Sequence, residues 1–175
     1  MNQPRFLVLA GIILATAASR LIPHPPNFTP VAALALFGGA SFATKRAALL
    51  LPLAAMFLSD LVLGLSRITP VVYASLALIV CLGFWLRRRP TAGRTVTAAL
   101  LGAVLFFVIT NFGMWALGEF YPKTGTGLSE CFVAGIPFFR NTLVSDLLYA
   151  TLLFGGLALA EKRWPRLAET IPATI

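Results

Sequence analysis

Six apolar stretches, separated by short polar segments, occupy almost the whole chain between Arg5 and Arg163. The hydrocarbon core of a bilayer is about 30 Å thick, and a helix needs roughly 20 residues to cross it. Hydrophobic residues make up 58% of the composition and charged residues only 11%, which excludes an ordinary soluble domain. We therefore predict one all-α membrane domain over residues 1–175, a compact bundle of six transmembrane helices. The predicted spans are residues 5–21, 30–43, 47–66, 70–86, 95–118 and 138–160.

Two of these stretches have alternative interpretations. The first combines Arg5, an apolar run and the small residues 15–18, which is also the pattern of a cleaved secretory signal and would leave five spans. Gly11, Ala15 and Ser19 recur every four residues and favour an uncleaved helix with a smooth face for close helix contact. The second stretch, residues 30–43, would reach only about 21 Å as a helix, so it borrows flanking residues, lies in thinned bilayer or crosses incompletely.

The basic residues predict the orientation of the bundle. The net charge is +8, and ten of the 14 Lys and Arg residues fall on one side of the predicted spans while four fall on the other. The side richer in Lys and Arg is normally cytoplasmic, so both termini are predicted to be cytoplasmic. The cluster Arg87 to Arg89 is then a membrane anchor that meets anionic lipid, not a nucleic-acid site. The ten are Arg5, Lys45, Arg46, Arg87, Arg88, Arg89, Arg94, Lys162, Arg163 and Arg166, and the four are Arg20, Arg67, Lys123 and Arg140.

The two longest predicted non-helical segments, residues 20–30 and 119–137, lie on the same, outer side. The first contains four prolines, which fix backbone angles and predict a stiff cover beside the spans. The second contains the glycines of 124–127, which predict turns. No Lys-Ser or Lys-Thr follows these glycines, so they do not form a phosphate-binding loop, and no nucleotide site is predicted.

Polar residues inside the spans are the first candidates for a site, because an ionisable group in hydrocarbon costs at least a few kcal/mol and normally faces a cavity or a partner. Asp60 and Asp146 are the carboxylates of this kind, and Asn111 adds an amide. They either line a pocket that opens outward or hydrogen-bond neighbouring helices and hold the bundle together. The sequence leaves both alternatives open for the two acids and favours the structural role for Asn111.

The two cysteines are predicted to remain unpaired, because Cys81 lies deep in the fourth span and Cys131 in the last outer loop. A lone cysteine in an apolar helix usually behaves as a small hydrophobe. A thiolate is also a soft metal ligand, so a deep thiol facing a cavity could coordinate a metal carried within a larger molecule. A free metal ion would need more ligands than Cys81 and the single histidine, His24, supply.

Several short motifs along nearly the whole chain give a family resemblance. The chain resembles the BtuM family of solitary cobalamin-uptake proteins, which are relatives of the substrate-binding S-components of energy-coupling factor (ECF) transporters. The position of Cys81 matches the cysteine that coordinates cobalt in that family. The motifs are Arg20, residues 25–31 (PPNFTPV), 36–40 (LFGGA), Pro52, Ser59-Asp60, 110–115 (TNFGMW), Gly127-Leu128 and 136–139 (IPFF).

The resemblance implies an S-component-like fold in a bacterial inner membrane, with a vitamin B12 pocket open to the periplasm. The loops after the first, third and fifth spans would cover this pocket. Cys81 would coordinate the cobalt of cobalamin and could displace cyanide from cyanocobalamin. His24 is a candidate second axial ligand because neutral imidazole binds transition metals, but a lone loop histidine is more often solvated, and the sequence favours that alternative. The implied partners are the vitamin and the bilayer, without a dedicated ATPase module, although a shared module stays open. The other implied pocket residues are Phe28, Asp60, Tyr73, Trp85, Asn111, Phe139 and Asp146.

Two alternative functions remain from the sequence. An S-component-like transporter of another vitamin or of a metal would keep the fold and make Cys81 incidental. A membrane enzyme would use Asp60 and Asp146 as an acid and base pair, although no conventional catalytic triad is visible.

Overall fold

The computed structural model describes residues 3–168, and over this range the chain is helical with no β-strand. Five of the six α-helices are long and apolar enough to cross a membrane, which indicates a multi-pass membrane protein; α2 is the short one. The prediction of six helices is confirmed, although their bounds differ from the predicted spans. The α-helices are α1 (Gln3–Ala18), α2 (Val31–Ser41), α3 (Lys45–Leu63), α4 (Thr69–Arg87), α5 (Ala92–Leu117) and α6 (Gly125–Arg163), with short 3-10 helices at Ser19–Leu21 and Pro165–Leu167.

Helix α2 is the centre of the bundle. Nearly all of its 11 residues are buried, and it packs against every other α-helix. At about 1.5 Å per residue it is only about 16 Å long. Its ends are enclosed by protein, so a short helix that is apolar on all sides is stable here. This explains the short second stretch of the sequence.

Two glycines bring α2 and α4 into backbone contact. A methyl group built on Gly83 of α4 would lie 2.5 Å from the carbonyl oxygen of Leu36 and 2.7 Å from the Cα atom of Gly39, both in α2. Only a residue without a side chain permits this approach, because a backbone cannot move aside as a flexible side chain can. The position of α4 against the centre of the bundle therefore depends on Gly39 and Gly83.

Helix α1 belongs to the bundle but uses a different face from the predicted one. Leu9 and Ile13 are fully buried on its inner face. Of the three residues predicted to make close helix contact, Gly11 and Ala15 are exposed, and no neighbour lies within 4 Å of a methyl group built on Gly11. The third, Ser19, lies just after α1, and its hydroxyl is 3.4 Å from that of Tyr149 in α6. Residues spaced by four from Leu9, and not the small residues, therefore fix α1 to the rest of the chain.

The largest difference from the sequence prediction is the start of α6. This helix begins at Gly125, where the Oγ1 atom of Thr124 accepts a hydrogen bond from the Gly127 amide, and it runs for 39 residues with Pro137 inside it. Residues 125–137, predicted to be part of an outer loop, are thus helical, and the connection from α5 is only residues 118–124. At about 58 Å, α6 is roughly twice as long as the hydrocarbon core is thick.

The two ends of the bundle have different chemistry. At one end, here called the basic end, Arg5 pairs with Glu161, and Arg87 donates hydrogen bonds to the carbonyls of Phe42 and Ala43. At the opposite end, here called the loop end, lie the three connections 19–30, 64–68 and 118–124. The segments predicted to share the outer side therefore do share one end of the molecule.

Candidate functional site: a cavity between α4, α5 and α6

A cavity of about 390 Å³ opens toward the loop end between α4, α5 and α6. Each of the three loop-end connections contributes one residue to its lining: Asn27, Ile68 and Tyr121. Small-molecule sites generally have volumes of about 300–1,000 Å³, so the cavity is large enough for a small ligand. The remaining lining residues are Val72, Phe106, Phe107, Thr110, Asn111, Met114, Cys131, Ala134, Gly135, Phe138, Phe139 and Thr142.

Aromatic rings form much of the cavity wall. Phe107 of α5 packs against Phe139 of α6 with 4.7 Å between ring centroids and an angle of 42° between the ring planes. It also meets Phe132 edge-on, at a centroid distance of 5.6 Å. Aromatic pairs at these distances stabilise contacts by about 0.5–1.5 kcal/mol beyond the area they bury. This packing fixes the α5–α6 wall, and it places the predicted site residue Phe139 in the cavity.

Gly135 of α6 shapes the cavity at the same place. A methyl group built on it would lie 2.5 Å from the Oδ1 atom of Asn111 and 2.9 Å from Cε2 of Phe107. The glycine thus gives two α5 side chains the space that they occupy in the wall.

Three neutral polar side chains line the cavity from within the helices. The Thr110 hydroxyl donates to the carbonyl of Phe106 (2.7 Å), and the Thr142 hydroxyl donates to that of Phe138 (3.1 Å). Asn111 donates one amide hydrogen to the Phe107 carbonyl (2.8 Å). Asn111 is therefore the predicted polar residue that does line a cavity, together with two threonines that the sequence analysis did not single out.

The cysteine in the cavity is Cys131, not Cys81. Cys131 is buried in α6, and its thiol donates to the Asn111 carbonyl at 3.4 Å. Sequence reasoning placed it in a loop because the start of α6 was missed.

Cys81 belongs to the exposed stripe of α4, between Leu78 and Trp85, which are 49% and 41% exposed. Residues three or four apart share one face of a helix. Cys81 and Trp85 do not line the cavity between α4, α5 and α6, so coordination of a ligand metal by Cys81 stays a prediction. The Trp85 ring instead makes a cation–π contact near the basic end, where the Arg94 guanidinium lies 4.2 Å from the ring centroid.

Asp60 lies outside the cavity, in a polar network that joins three segments. Its Oδ1 atom is 2.8 Å from Nη1 of Arg20, which follows α1, and its Oδ2 atom accepts a hydrogen bond from Tyr73 of α4 at 2.7 Å. Arg20 also donates to the hydroxyl of Ser59. A buried acid paired in this way holds its partners in place, because removing one member leaves an uncompensated charge. Asp60 was predicted either to line a pocket or to hold neighbouring helices together. Its contacts match the second role, and Tyr73 takes part in it.

Asp146 completes the start of α2 from a different helix. Its Oδ1 atom accepts a hydrogen bond from the Ala33 amide at 3.1 Å. The first amides of a helix have no partner within the helix, and Pro30, which precedes α2, has no side-chain oxygen to supply one. Asp146 is 1% exposed and does not line the cavity. Asp60 and Asp146 are therefore not brought together as an acid and base pair.

The first loop is attached to α6 by two further contacts, both near Asp146. Asn141 donates to the Pro26 carbonyl (2.8 Å), and Ser145 donates to the Thr29 carbonyl (3.1 Å). These contacts hold the proline-rich segment against α6. Phe28 lies in this segment but is not part of the cavity lining.

His24 has a local role in the same loop. Its ring nitrogens lie 3.0 Å from the Pro25 carbonyl and 3.2 Å from the Arg20 carbonyl, and the side chain is exposed. Within residues 3–168, no three His, Cys, Asp or Glu side chains come together as a metal site. The structure therefore does not place His24 near the cavity or near Cys81.

At the mouth of the cavity, the α5–α6 connection is held by several internal hydrogen bonds, whereas a single ion pair joins it to the α3–α4 connection. The α5–α6 connection is tied to itself, because the Trp115 indole donates to the Pro122 carbonyl at 2.9 Å and Lys123 donates to the carbonyls of Trp115 and Gly118. The α3–α4 connection contacts it through an ion pair between Arg67 and Glu119, whose side chains are 74% and 80% exposed. Exposed ion pairs of this kind contribute little stability. The contact between the α3–α4 and α5–α6 connections is therefore weak and separates more easily than the hydrogen bonds within the α5–α6 connection.

Comparison with known protein families gives a match over residues 1–167 to a family of unknown function, DUF6580. The chain belongs to the DUF6580 family. No curated protein and no solved structure matches it significantly. The DUF6580 match extends over all six helices, so the cavity and the buried network lie within the family's sequence.

Proposed function

We propose that this DUF6580 protein is an S-component-like uptake protein, which receives a small molecule in the cavity between α4, α5 and α6 and carries it across the membrane. The observation that supports this most is the cavity itself: it opens at one end of a membrane bundle, and three separate connections contribute to its mouth. The acids that an enzyme would use are engaged in structural contacts. The geometry therefore favours binding and transport over catalysis.

The positive-inside distribution of Lys and Arg gives the proposed direction. The basic end is cytoplasmic, with both termini on that side, and the loop end faces the periplasm of a bacterial inner membrane. Substrate would enter from the periplasm by separation of the α3–α4 connection from the α5–α6 connection. Any dependence on ATP would come from a partner protein.

Cobalamin is the specific substrate that the resemblance to the BtuM family supplies. A corrinoid is much larger than a ligand suited to about 390 Å³, so its binding requires the three connections to move apart or only part of the vitamin to enter. Coordination of cobalt by Cys81, with loss of cyanide, would require the corrin to bind against the exposed stripe of α4. Coordination by Cys131 would require the cobalt to enter the cavity.

The experiment is co-purification of the protein with cyanocobalamin, followed by a visible absorption spectrum. Wild type is compared with Cys81→Ser, Cys131→Ser and the cavity-filling variants Gly135→Leu and Thr142→Phe. We expect stoichiometric vitamin that is lost in both filling variants, and a spectral change that one cysteine variant abolishes would identify the thiol on cobalt. Absence of bound vitamin would overturn cobalamin as the substrate, and full binding by folded filling variants would overturn the cavity as its site.

A further inference from the structure

The cavity lining is electrically neutral. Among the described residues that line it, none is Asp, Glu, Lys, Arg or His. A charged group that leaves water for such a site gains no opposite charge, and the uncompensated desolvation costs several kcal/mol. The charged side chains near the mouth, Arg67 and Glu119, are directed to each other and are exposed. A ligand group that enters the cavity should therefore be uncharged.

The polar groups in the wall have a definite hydrogen-bonding sense. The hydroxyl protons of Thr110 and Thr142 are given to backbone carbonyls, so their oxygens are left as acceptors. The Cys131 thiol proton is directed to the Asn111 carbonyl in the same way. Asn111 uses one amide hydrogen on the Phe107 carbonyl and keeps one N–H donor and its side-chain oxygen, so acceptors outnumber donors among the polar side chains of the wall. A ligand that presents hydrogen-bond donors therefore matches this wall better than one that presents acceptors.

The aromatic lining of the cavity favours a flat ligand. Phe106 and Phe107 of α5 and Phe138 and Phe139 of α6 supply ring surfaces. Aromatic groups pack against such surfaces in offset or edge-to-face arrangements that a bulky aliphatic group cannot reproduce. The volume of about 390 Å³ is near the lower limit for small-molecule sites and suits one or two rings.

We propose that the group bound in this cavity is a neutral, planar heteroaromatic ring that carries an N–H or amino donor. This inference rests on the proposed function, since it takes the cavity as the substrate site, and it narrows the substrate to a chemical class. The ring is either the whole substrate or the part of a larger one that enters the helices. Charged substituents of the substrate remain at the mouth, in water.

Three probes of nearly equal shape test charge and donor separately. Indole-5-carboxamide is neutral and has N–H donors. Indole-5-carboxylate is its anionic counterpart and keeps the ring N–H. The N-methyl compound, 1-methyl-5-acetylindole, is neutral, has nearly the same shape and has no N–H donor. Binding to the purified protein in detergent is measured by calorimetry. We expect the carboxamide to bind, the carboxylate to bind at least about tenfold more weakly because of desolvation, and the N-methyl compound at least about fivefold more weakly because its N–H donors are absent.

Two variants show whether the carboxamide occupies the cavity. Gly135→Ala should reduce its affinity by displacing Asn111 and Phe107, and Thr142→Val should reduce it by removing an acceptor while keeping the shape. Unchanged melting temperatures establish that both variants are folded. Gly11→Ala, an exposed glycine of α1 with no neighbour within 4 Å, is the matched control and should bind as wild type does.

The outcomes separate this inference from the proposed function. Equal affinity for the carboxamide and the carboxylate, both sensitive to Gly135→Ala, would overturn the chemical class while the cavity stands as a site. Equal affinity for the N-methyl compound would show an apolar slot only and would also overturn the class. If none of the probes binds but cyanocobalamin binds to wild type and more weakly to Gly135→Ala, the proposed chemical class of ligand is overturned and the proposed transport function is retained. If indole-5-carboxamide bound with unchanged affinity to Gly135→Ala and to Thr142→Val, the cavity would be overturned as the binding site.

Discussion

The acids buried around α2 and the neutral polar residues of the cavity are both polar groups in apolar helices, yet they are bonded differently. Asp60 and Asp146 find their partners on other segments of the chain, at Arg20, Tyr73 and the Ala33 amide. The side chains of Thr110, Asn111 and Thr142 donate to carbonyls of their own helices, and all three line the cavity. In this protein, the buried acids contact other segments of the bundle, whereas neutral polar groups line the candidate site.

The largest expected effect is on stability, and it appears when a glycine is replaced by alanine at the α2–α4 contact and, for comparison, in the cavity wall. Gly83→Ala should lower the unfolding free energy by roughly 1–3 kcal/mol, because the new methyl group meets backbone atoms of α2. Gly135→Ala should change stability little, because its methyl group meets side chains that can move, but it should weaken ligand binding. Thermal unfolding in detergent and calorimetry with indole-5-carboxamide measure both effects. Equal loss of stability in the two variants would contradict the distinction between the regions.

Removing the Asp146 carboxylate should have the next largest effect. Asp146→Ala leaves the buried Ala33 amide without its acceptor, which costs about 1–3 kcal/mol. Asp146→Asn keeps an oxygen acceptor and is the matched control, so we expect a smaller fall in melting temperature. If Asp146→Ala instead kept full stability and abolished ligand binding, Asp146 would belong to the site and not to the bundle.

The smallest effect is expected at the cavity mouth. Arg67→Ala removes an exposed ion pair, which contributes only about 0.2–1 kcal/mol to stability. Because this pair joins the two connections across the entrance, we expect faster association and faster dissociation of indole-5-carboxamide with little change in affinity. Surface plasmon resonance with the immobilised protein measures both rates, with Arg88→Ala at the opposite end as the control. Unchanged rates would show that the pair does not restrict entry.

The sequence predicted the helices well and their partners poorly. Long apolar runs determine where helices form, so six helices and the shared end of the three connections were predictable. The first 13 residues of α6 were missed because Gly125, Gly127 and Pro137 are typical of turns, although Thr124 is a good helix cap and marks the true start.

The candidate site was predicted only in part, for a related reason. Asn111 and Phe139 were predicted and do line the cavity, but Asp146 was ambiguous because its partner, the Ala33 amide, is 113 residues away in the chain. Cys81 was selected by resemblance, and the side of α4 on which it lies depends on the packing of α4 against α2. Single-sequence patterns give the face of a helix that is apolar, but in a membrane both the lipid face and the protein face are apolar, so the pattern does not separate them.

The most direct test of the cavity as the substrate site is ligand protection of the two thiols. Alkylation by N-ethylmaleimide is followed for Cys131 in a Cys81→Ser background and for Cys81 in a Cys131→Ser background, with cyanocobalamin and, separately, with indole-5-carboxamide. Our account predicts that both ligands slow the alkylation of Cys131 and leave that of Cys81 unchanged. Protection of Cys81 alone, or of neither thiol by a ligand that binds, would contradict it.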